Sequence, residues 1–442
     1  MADRSLIRLC VIWLQWWLVA GWDVLVLGGT GFRGHPTVER LLAEGHEVTV
    51  LSRGHNYWGV FERLKGRIQH LPCNRTLAIG FGGAPQSTSS GLVNCTQLQS
   101  RQKAFDAVVD FSSRTPQELK QAVTLLKGKV GVYILMSSHA VYDVSKKDRS
   151  HDEAHLLESD AVRPGCEVSP MERYQLKSQN DVGDKMLECE EELLKQYDAG
   201  GFPFVVFRLA SSFGPKENTI RYWLLHLWVR AHLPLTLPMH LAKDLLDTPI
   251  SMTYTPDIAQ AVVRAISRSR NETCCPEHVH AQAFNLACEE APTQRSLYNY
   301  VAEPIGVPYT ETIEVEPNRS IVLYPEIKRG HLSIQKALQT LRWAPTDLQK
   351  SLRSVARFYD RVMLDVGKFK VEREAMYAKC KKMLGSDGER FVEWTRAYYA
   401  ERRKTELYDE LDDEDEEDIL LVRPDPEPRK PRKRRRRKKQ DL

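Results

Sequence analysis

A short apolar run, a cluster of glycines and an amphipathic segment follow one another near the N-terminus. The run Asp23–Leu27 is almost wholly apolar, which is typical of a strand buried on both faces. Gly28, Gly31 and Gly34 come next, and residues 36–42 place their apolar side chains on one face of a helix. The pattern therefore predicts a strand, a glycine-rich turn and a helix, in that order.

Strand-like and helix-like segments continue to alternate along the chain, and together they predict an α/β fold. Apolar runs indicate further strands at 46–54, 66–71, 105–111 and 131–136, and a helix is predicted at 116–126. Such alternation favours a doubly wound parallel sheet of the Rossmann type.

Composition and pattern divide the 442 residues into segments. Because 42% of the residues are hydrophobic, the chain can build a sizeable core, which we assign to residues 23–365. A Gly-, Ser- and Thr-rich stretch at 73–103 interrupts the pattern and is predicted to be an inserted, mostly disordered loop without chemistry. A smaller C-terminal substrate region is expected from about 214–253 and 280–345, followed by a helical extension over 366–405.

The last residues of the sequence carry two blocks of opposite charge. Nine of the ten residues Asp409–Asp418 are acidic, and ten of the eleven residues Arg429–Lys439 are basic. Such runs cannot bury a core, so 406–442 is predicted to be disordered. The basic run is typical of nuclear-import signals and nucleic-acid contacts, and the alternative is a solubilising tail whose halves screen each other.

Two features bear on where the protein works. The apolar leader, residues 1–22, resembles a signal peptide or an anchor, but it carries Arg8 and Gln15, is short for a membrane span and lacks a clear cleavage site. Nine scattered cysteines without a C-x-x-C pair favour reduced thiols over a disulfide framework or a zinc site. We therefore expect a cytoplasmic or nuclear protein without a bound metal, and secretory or membrane targeting by residues 6–22 is the less favoured alternative.

The glycine-rich turn has the context of a dinucleotide site. Glycines let backbone N–H groups approach a pyrophosphate at the helix N-terminus, and the alternative is a plain tight turn. The second strand ends in Ser52 and Arg53 where an acidic residue would favour NAD. A guanidinium can fork onto a 2′-phosphate, which together with Arg33 favours NADP, unless Arg53 is merely solvated. The candidate cofactor-binding residues are Gly28, Thr30, Gly31, Phe32, Arg33, Gly34, Ser52 and Arg53.

The strand predicted at 131–136 runs into an S-S-x-x-V-Y motif, residues 137–142. With the G-x-x-G-x-x-G turn, this motif resembles the extended (atypical) short-chain dehydrogenase/reductase superfamily, and within it the NAD-dependent epimerase/dehydratase family. Softer features, such as the R-G ending of the second strand, resemble the divergent branch that contains the chloroplast stem-loop RNA-binding proteins. The similarity covers about residues 23–364 and continues through Phe204–Arg208, Phe213–Pro215, Tyr254–Ala259, Phe284–Leu286 and Leu341–Pro345.

The resemblance implies catalysis by a serine or threonine, a tyrosine and a lysine, the last two spaced Y-x-x-x-K on one helix face. The lysine lowers the tyrosine pKa and contacts the cofactor ribose, while the phenolate moves a proton during hydride transfer. Ser138 matches the serine, although it could simply cap the strand end. Lys185 matches the catalytic and ribose-binding lysine, because it precedes Arg208 by the family interval of 23 residues. Asp181, however, stands where the tyrosine is expected.

This gap in the motif leaves alternatives open. Tyr174, which is followed by lysine at the third position instead of the fourth, could swing in from a loop. Asp181 could act as the base if burial raised its pKa from about 4. Otherwise the site binds a dinucleotide without redox chemistry.

The substrate side also departs from the family pattern that the resemblance implies. Ser211 stands where the family has an asparagine that helps to hold a nucleotide sugar. Lys216 and Arg221 could meet a substrate phosphate, or they could be solvated loop charges. Asp257 is expected to cap a helix over 258–266.

These features favour an NAD(P)-binding protein that acts as an epimerase, dehydratase or reductase on a nucleotide sugar or a related alcohol. The alternative is a catalytically impaired dinucleotide-binding protein that works through RNA or protein partners. The candidate partners are therefore a dinucleotide, a nucleotide sugar, RNA or an import receptor at the basic tail, and a second copy of the chain.

Overall fold

The computed structural model describes residues 21–75, 95–146, 155–165, 168–270, 279–324 and 330–405. The predicted leader up to residue 20, the centre of the predicted insertion and the predicted disordered tail lie outside the described residues. None of the helices in the described part of the chain is long and apolar enough to cross a bilayer.

The described residues form thirteen strands and twelve α-helices. The strands are β1 (Asp23–Leu27), β2 (Glu47–Ser52), β3 (Gln69–Pro72), β4 (Phe105–Asp110), β5 (Val130–Ser138), β6 (His155–Leu156), β7 (Phe204–Leu209), β8 (Ser211–Phe213), β9 (Met239–Ala242), β10 (Met252–Tyr254), β11 (Gln282–Leu286), β12 (Thr312–Val315) and β13 (His331–Leu332). The helices are α1 (His35–Ala43), α2 (Val60–Leu64), α3 (Thr96–Ser100), α4 (Pro116–Leu126), α5 (Pro170–Gln179), α6 (Asp181–Asp198), α7 (Arg221–Ala231), α8 (Thr255–Arg270), α9 (Gln294–Ala302), α10 (Leu348–Leu364), α11 (Lys370–Leu384) and α12 (Gly388–Thr405).

Seven strands form one parallel sheet in the order β11-β7-β5-β4-β1-β2-β3. Every residue of β1 and of β7 is buried, as expected for strands that helices cover on both faces. The direction of strand progression reverses between β1 and β4, so a crevice opens there at the carboxyl ends of the strands. The predicted doubly wound Rossmann-type sheet is confirmed.

Local sequence signals explain several of the helices that flank this sheet. Helix α4 begins with Pro116, and the Thr115 hydroxyl caps it by accepting a hydrogen bond from the Glu118 N–H group. Helix α6 is capped in the same way by the Asn180 side chain, which accepts from the Gly183 N–H group. Because capping fixes the residue at which each helix begins, it also fixes which side chains form the apolar face that packs on the sheet.

The last helix, α12, packs beside α10 and α7 through a cluster of polar groups around Asp360, while Arg373 of α11 donates to the Val362 carbonyl oxygen of α10. The Asp360 carboxylate accepts from Arg230 and Tyr399 at 2.5 Å and faces His226 at 3.0 Å. Burial alone would raise the pKa of Asp360, but His226 and Arg230 outweigh it and hold the pKa well below its usual range. A compensated buried charge therefore holds the C-terminal extension on the body.

The expectation of reduced thiols is wrong for one pair, because Cys73 and Cys95 form a disulfide. The two cysteines lie 22 residues apart; Cys73 begins the segment 73–103 that was predicted to be an insertion, and Cys95 lies within it. Their pairing depends on β3 and α3 lying side by side, which no local spacing signals. In the described part of the chain, the remaining cysteines are free and buried: Cys189, Cys288 and Cys380.

The prediction that Asp257 caps a helix is also wrong. Helix α8 begins earlier, at Thr255, so Asp257 lies within its first turn. Its carboxylate accepts hydrogen bonds from the Thr346 N–H group at 2.9 Å and the Thr346 hydroxyl at 2.7 Å. Burial raises the pKa of Asp257 to about 6.

A second buried carboxylate, Asp110, fixes the carboxyl end of β4. The Arg75 guanidinium donates to both of its oxygens at 2.9 Å, and the hydroxyls of Ser113 and Tyr133 donate at 2.5 Å. Burial alone would raise the pKa of Asp110, but the Arg75 charge and these donors outweigh it and lower the pKa. Arg75 belongs to the segment that the sequence predicts to be a disordered insertion, so the start of that segment is in fact part of the core.

We expect Asp110→Ala to lower the free energy of unfolding by about 3–5 kcal/mol, because it leaves the Arg75 charge buried and unpaired. The measurement is urea unfolding followed by circular dichroism. Lys243→Ala is the matched control, since Lys243 pairs with Glu316 at 2.7 Å on the surface, where both side chains are more than half exposed. The control should cost less than about 1 kcal/mol. Equal losses for the two variants would contradict the role given to Asp110.

The raised pKa of Asp257 predicts a pH effect on stability. The folded protein holds this proton more tightly than the unfolded chain does, so the protonated carboxyl favours folding below about pH 4. That contribution is lost as the pH rises through about 6. Between pH 4 and 7, the wild type should therefore lose about 1.4 kcal/mol of unfolding free energy per unit of pKa shift. Asp257→Asn has no carboxyl group to titrate at this position, so its stability should rise relative to that of the wild type by the same amount. A difference that stays constant with pH in urea unfolding would refute this.

Candidate functional site

The turn between β1 and α1 packs its backbone tightly, because glycines occupy its closest approaches. Gly28 has φ +80°, and a Cβ added at Gly34 would lie 2.6 Å from the Gly28 carbonyl oxygen. Helix α1 begins at His35, whose N–H group donates to the Gly31 carbonyl oxygen, and no side chain caps its first turn. Since Pro36 has no N–H group, the attraction for a diphosphate comes from the positive end of the helix dipole and from the backbone of the glycine-rich turn before it. The residues present therefore fit the diphosphate of a dinucleotide.

Positive charge surrounds the mouth of this turn. The Arg33 side chain is exposed to solvent and lies near the guanidiniums of Arg221 and Arg114. Desolvation by surrounding protein atoms and these two neighbouring charges lower the pKa of Arg33 to about 10, and the Glu217 carboxylate partly offsets them. Arg33 stays charged at neutral pH, so the cleft attracts anions.

The predicted substrate-side cations are not solvated loop charges, so that alternative is wrong. Lys216 is buried, and its backbone has φ +63°. The Arg221 guanidinium donates to Glu217 at 2.7 Å and to the Ser212 carbonyl oxygen at 2.6 Å. Because Glu217 is itself fully buried, Arg221 is held in a fixed position. A role in binding phosphate remains a prediction for both cations, and Ser211 is buried beside them in β8.

The end of β2 shows how the predicted ribose contacts are arranged. The Ser52 hydroxyl lies 3.1 Å from Nε2 of His70 and accepts from the Gly54 N–H group at 3.3 Å. Arg53 is exposed to solvent. In the glycine-rich turn itself, Thr30 is buried and Phe32 is partly exposed. Ser52 therefore has a structural partner, while Arg53 is accessible to an anionic group.

The residues predicted to carry the chemistry are not assembled as the family pattern implies. Lys185 pairs with Asp181 on the outer face of α6, with Nζ 2.7 Å from the carboxylate, and Asp181 is 77% exposed. Asp181 therefore lacks the burial that would make a carboxylate a useful base, which corrects that expectation. Tyr174 lies on the separate helix α5 and is 69% exposed. Ser138 is partly exposed at the end of β5, where its hydroxyl accepts from the Ala140 N–H group at 3.2 Å.

A buried polar network under this end of the sheet was missed by the sequence analysis above. Arg208 on β7 pairs with Glu190 on α6 at 2.7 Å, and Glu190 also accepts from Ser137 at 2.5 Å. The Tyr142 hydroxyl donates to Asn285 at 2.6 Å and accepts from Arg208 at 3.2 Å. Burial raises the pKa of Tyr142 well above its ordinary range, so its phenol is not a proton acceptor. A lone arginine within an apolar strand was the one signal of this network in the sequence.

In the described part of the chain, no group of three or more His, Cys, Asp or Glu side chains could hold a metal ion.

Two further residues near the cleft, Arg114 and Glu217, were not predicted from the sequence. Both owe their position to loops that follow different strands, β4 and β8. No spacing in the sequence connects them with Arg33.

Comparison with known proteins gives three kinds of match. Residues 24–80 match the model of the NAD dependent epimerase/dehydratase family. The chain is 24% identical over 377 residues to the chloroplast stem-loop binding protein of 41 kDa b from Arabidopsis thaliana, an alignment that covers 80% of this chain and 81% of that protein. Both matches agree with the resemblance predicted from the sequence motifs.

Solved structures of nucleotide-sugar enzymes share the fold at low identity. UDP-glucose 4-epimerase from Thermotoga maritima, solved with UDP-glucose, has a TM-score of 0.54 and 16% identity, covering 77% of this chain and 99% of its own. dTDP-glucose 4,6-dehydratase from Bacillus anthracis, solved with NAD, has a TM-score of 0.55 and 14% identity, covering 77% and 97%. In sequence over residues 24–80, and in fold over about three quarters of its length, the chain thus resembles the NAD-dependent epimerases and dehydratases.

Proposed function

We propose that this protein binds an NAD-type dinucleotide along the carboxyl edge of the sheet and acts, like an epimerase or dehydratase, on a nucleotide sugar or a related alcohol. The observation that carries the proposal is the tight turn between Gly28 and Gly34, which precedes the N-terminus of α1 at the strand-order switch point and lies among the guanidiniums of Arg33, Arg114 and Arg221. The match of residues 24–80 to the NAD dependent epimerase/dehydratase family supports it. So do the NAD and the UDP-sugars named for the solved structures of similar fold.

Most of the candidate residues have a stated task in this proposal. The amides of the glycine-rich turn hold the diphosphate, and Arg33 and Arg114 neutralise its charge. Ser138 lies at the end of β5 to bind the reacting hydroxyl. Lys185 has no task in the proposal, because it pairs with Asp181 on the outer face of α6. Lys216 and Arg221 stand on the substrate side, where a nucleotide sugar carries its own diphosphate. When bound, the dinucleotide supplies a nicotinamide ring that takes up or returns a hydride.

The finer proposal is that the dinucleotide is NADP. Arg53 supports it, because its guanidinium is exposed at the end of β2, and the sequence has no acidic residue there to bind a free 2′-hydroxyl. The Ser52 hydroxyl and His70 beside it add hydrogen-bonding groups that suit a phosphate.

Contact with RNA is a second and subordinate proposal. It is supported by the name of the relative from Arabidopsis thaliana, a chloroplast stem-loop binding protein, and by the basic run Arg429–Lys439. This contact would use the tail and not the cleft, so it is compatible with dinucleotide binding.

We expect Gly31→Asp to weaken dinucleotide binding at least about tenfold, because it brings a carboxylate to the diphosphate site. The measurement is fluorescence titration of the purified full-length protein with NADP and with NAD. Gly31→Asn is the matched control, since it has nearly the same shape without the charge and should bind more tightly than the aspartate variant. Unchanged affinity in Gly31→Asp would remove the assignment of the turn. Catalysis is tested separately, by product analysis with UDP-glucose, UDP-glucuronic acid and dTDP-glucose.

The choice between NADP and NAD is tested at Arg53. Arg53→Ala should weaken NADP binding by about tenfold and leave NAD binding nearly unchanged, because only NADP carries the phosphate that the guanidinium would meet. The same titration serves as the measurement. Arg67→Ala, a change of an exposed arginine at the opposite, amino-terminal edge of the sheet, should affect neither. Equal losses for the two dinucleotides would contradict the NADP preference.

A further inference from the structure

We propose that the C-terminal extension is a positioning element of the dinucleotide site, because it anchors the loop after β2 through the contact between Phe369 and Trp58. This loop, residues 53–59, carries Arg53, which the proposed function places on the cofactor. The inference therefore rests on the proposed function. It adds to the site a part of the chain that the family pattern does not supply, since the resemblance ends near residue 364.

The side chain of Trp58 reaches from this loop to the C-terminal helices. Trp58 is 6% exposed, although the three residues before it, 55–57, are exposed to solvent. Its ring centroid lies 5.7 Å from that of Phe369, which directly precedes α11. The indole also packs, at centroid distances of 5.5 to 6.1 Å, on three further rings: Trp223 of α7 and Phe358 and Tyr359 of α10. We call these five residues the aromatic latch. An indole enclosed in this way buries a large apolar surface, so the end of the loop is firmly held.

The backbone is strained on both sides of this contact. Trp58 has φ +54° and Phe369 has φ +57°, in the left-handed region that residues other than glycine rarely adopt. Such conformations persist where the surrounding structure imposes them, and they cluster at functional sites. Of the seven such residues in the described part of the chain, two more, Lys216 and Ile220, lie in the loop between β8 and α7. Strain is therefore concentrated where the loops of the cleft meet the C-terminal helices.

The same helices hold that second loop, residues 214–220, on the substrate side of the cleft. The Tyr359 hydroxyl accepts from the Glu217 N–H group at 3.0 Å, so one residue of the aromatic latch contacts both loops. On α11, Nζ of Lys379 donates to the carbonyl oxygens of Asn218 and Thr219 at 3.4 Å. The C-terminal helices therefore fix the two loops relative to each other.

The aromatic latch determines how Arg53 is presented. At the other end of the loop, the Ser52 hydroxyl accepts from the Gly54 N–H group at 3.3 Å. A loop that is held at both ends samples fewer conformations than a loop held at one end, so Arg53 loses less entropy when it binds a phosphate. Because only NADP carries the 2′-phosphate, the latch should contribute more to NADP affinity than to NAD affinity.

The first test requires no ligand. Trypsin cuts after Arg53 when the loop opens locally, so the rate of this cut in the full-length protein, followed by mass spectrometry, measures how firmly the loop is held. Phe369→Ala should accelerate the cut by about tenfold, because it frees one side of the Trp58 indole. Trp394→Ala is the matched control. Trp394 is also a partly buried aromatic residue of the extension, but its ring stacks on Tyr398 at 5.0 Å, so the cut should keep its wild-type rate.

The second test is calorimetric titration of the same variants with NADP and with NAD. Phe369→Ala should weaken NADP binding by about fivefold and leave NAD binding within about twofold of the wild type. Phe369→Leu, which keeps apolar bulk without the ring, is a milder second variant and should fall between the two. Trp394→Ala should bind both dinucleotides as the wild type does. An aromatic cluster that served packing alone would change the free energy of unfolding and leave the ratio of the two affinities unchanged.

The outcomes separate this proposal from the proposed function. If the wild type binds neither dinucleotide, the proposed function fails and the positioning role of the latch fails with it. If the wild type binds NADP and Phe369→Ala binds it equally well, the proposed function stands and the positioning role is overturned, whatever the rate of cleavage. Equal losses for NADP and NAD would also overturn it. Faster cleavage after Arg53 together with a selective loss of NADP affinity supports both.

Discussion

A permanent positive charge buried on β7, the strand next to β5, is the constraint on which the rest of the site depends. Arg208 is 5% exposed, and an unpaired guanidinium in such a place would cost several kcal/mol. Glu190 compensates the charge from α6, and Tyr142 shares the same guanidinium from the segment after β5. Charge compensation therefore fixes α6 and that segment against β7, and with them the position of Ser138.

A second buried ion pair fixes the position of the other half of the cleft in the same way. Asp110 binds Arg75 and also accepts from the N–H groups of Ser112 and Ser113, so the turn after β4 has one conformation. That turn lies against the glycine-rich turn, where a Cβ added at Gly28 would come within 3.3 Å of Ser112. The two halves of a long ligand would thus meet walls that are each set by an ion pair inside the protein. Such walls need little reorganisation when a charged ligand arrives.

The parts of this molecule that could be predicted from sequence are those governed by local rules. The strand β1, the glycine-rich turn and the helix α1 follow one another without interruption, and Pro116 and Thr115 mark the start of α4. The parallel, doubly wound arrangement of the sheet followed from the alternation of strands with helices. For such elements, periodicity and capping act within a few residues, so one sequence is enough.

The rest depends on contacts between distant segments. Arg75 and Asp110 are 35 residues apart, and for most of that interval the sequence pattern predicts neither a helix nor a strand. The grouping of Arg33 with Arg114 and Arg221 requires three loops to meet at one edge of the sheet. Asp257 was misassigned because tertiary contacts extend α8 by one turn beyond the point where capping preferences would start it. The periodicity of one segment carries no information about which distant segments it contacts.

The disulfide between Cys73 and Cys95 closes the chain between the two cysteines into a covalent loop beside β3. Their Cα atoms are 5.7 Å apart, a gap that an ordinary tight turn would span. Arg75 lies inside this loop and pairs with Asp110, so the first residues after Cys73 belong to the core. Beyond Arg75, chain length can change over evolution at little cost to the fold, because the entropy of closing a loop grows only slowly with its length. The edge beside β3 is thus a point at which this fold can acquire a new surface as long as Arg75 stays in place.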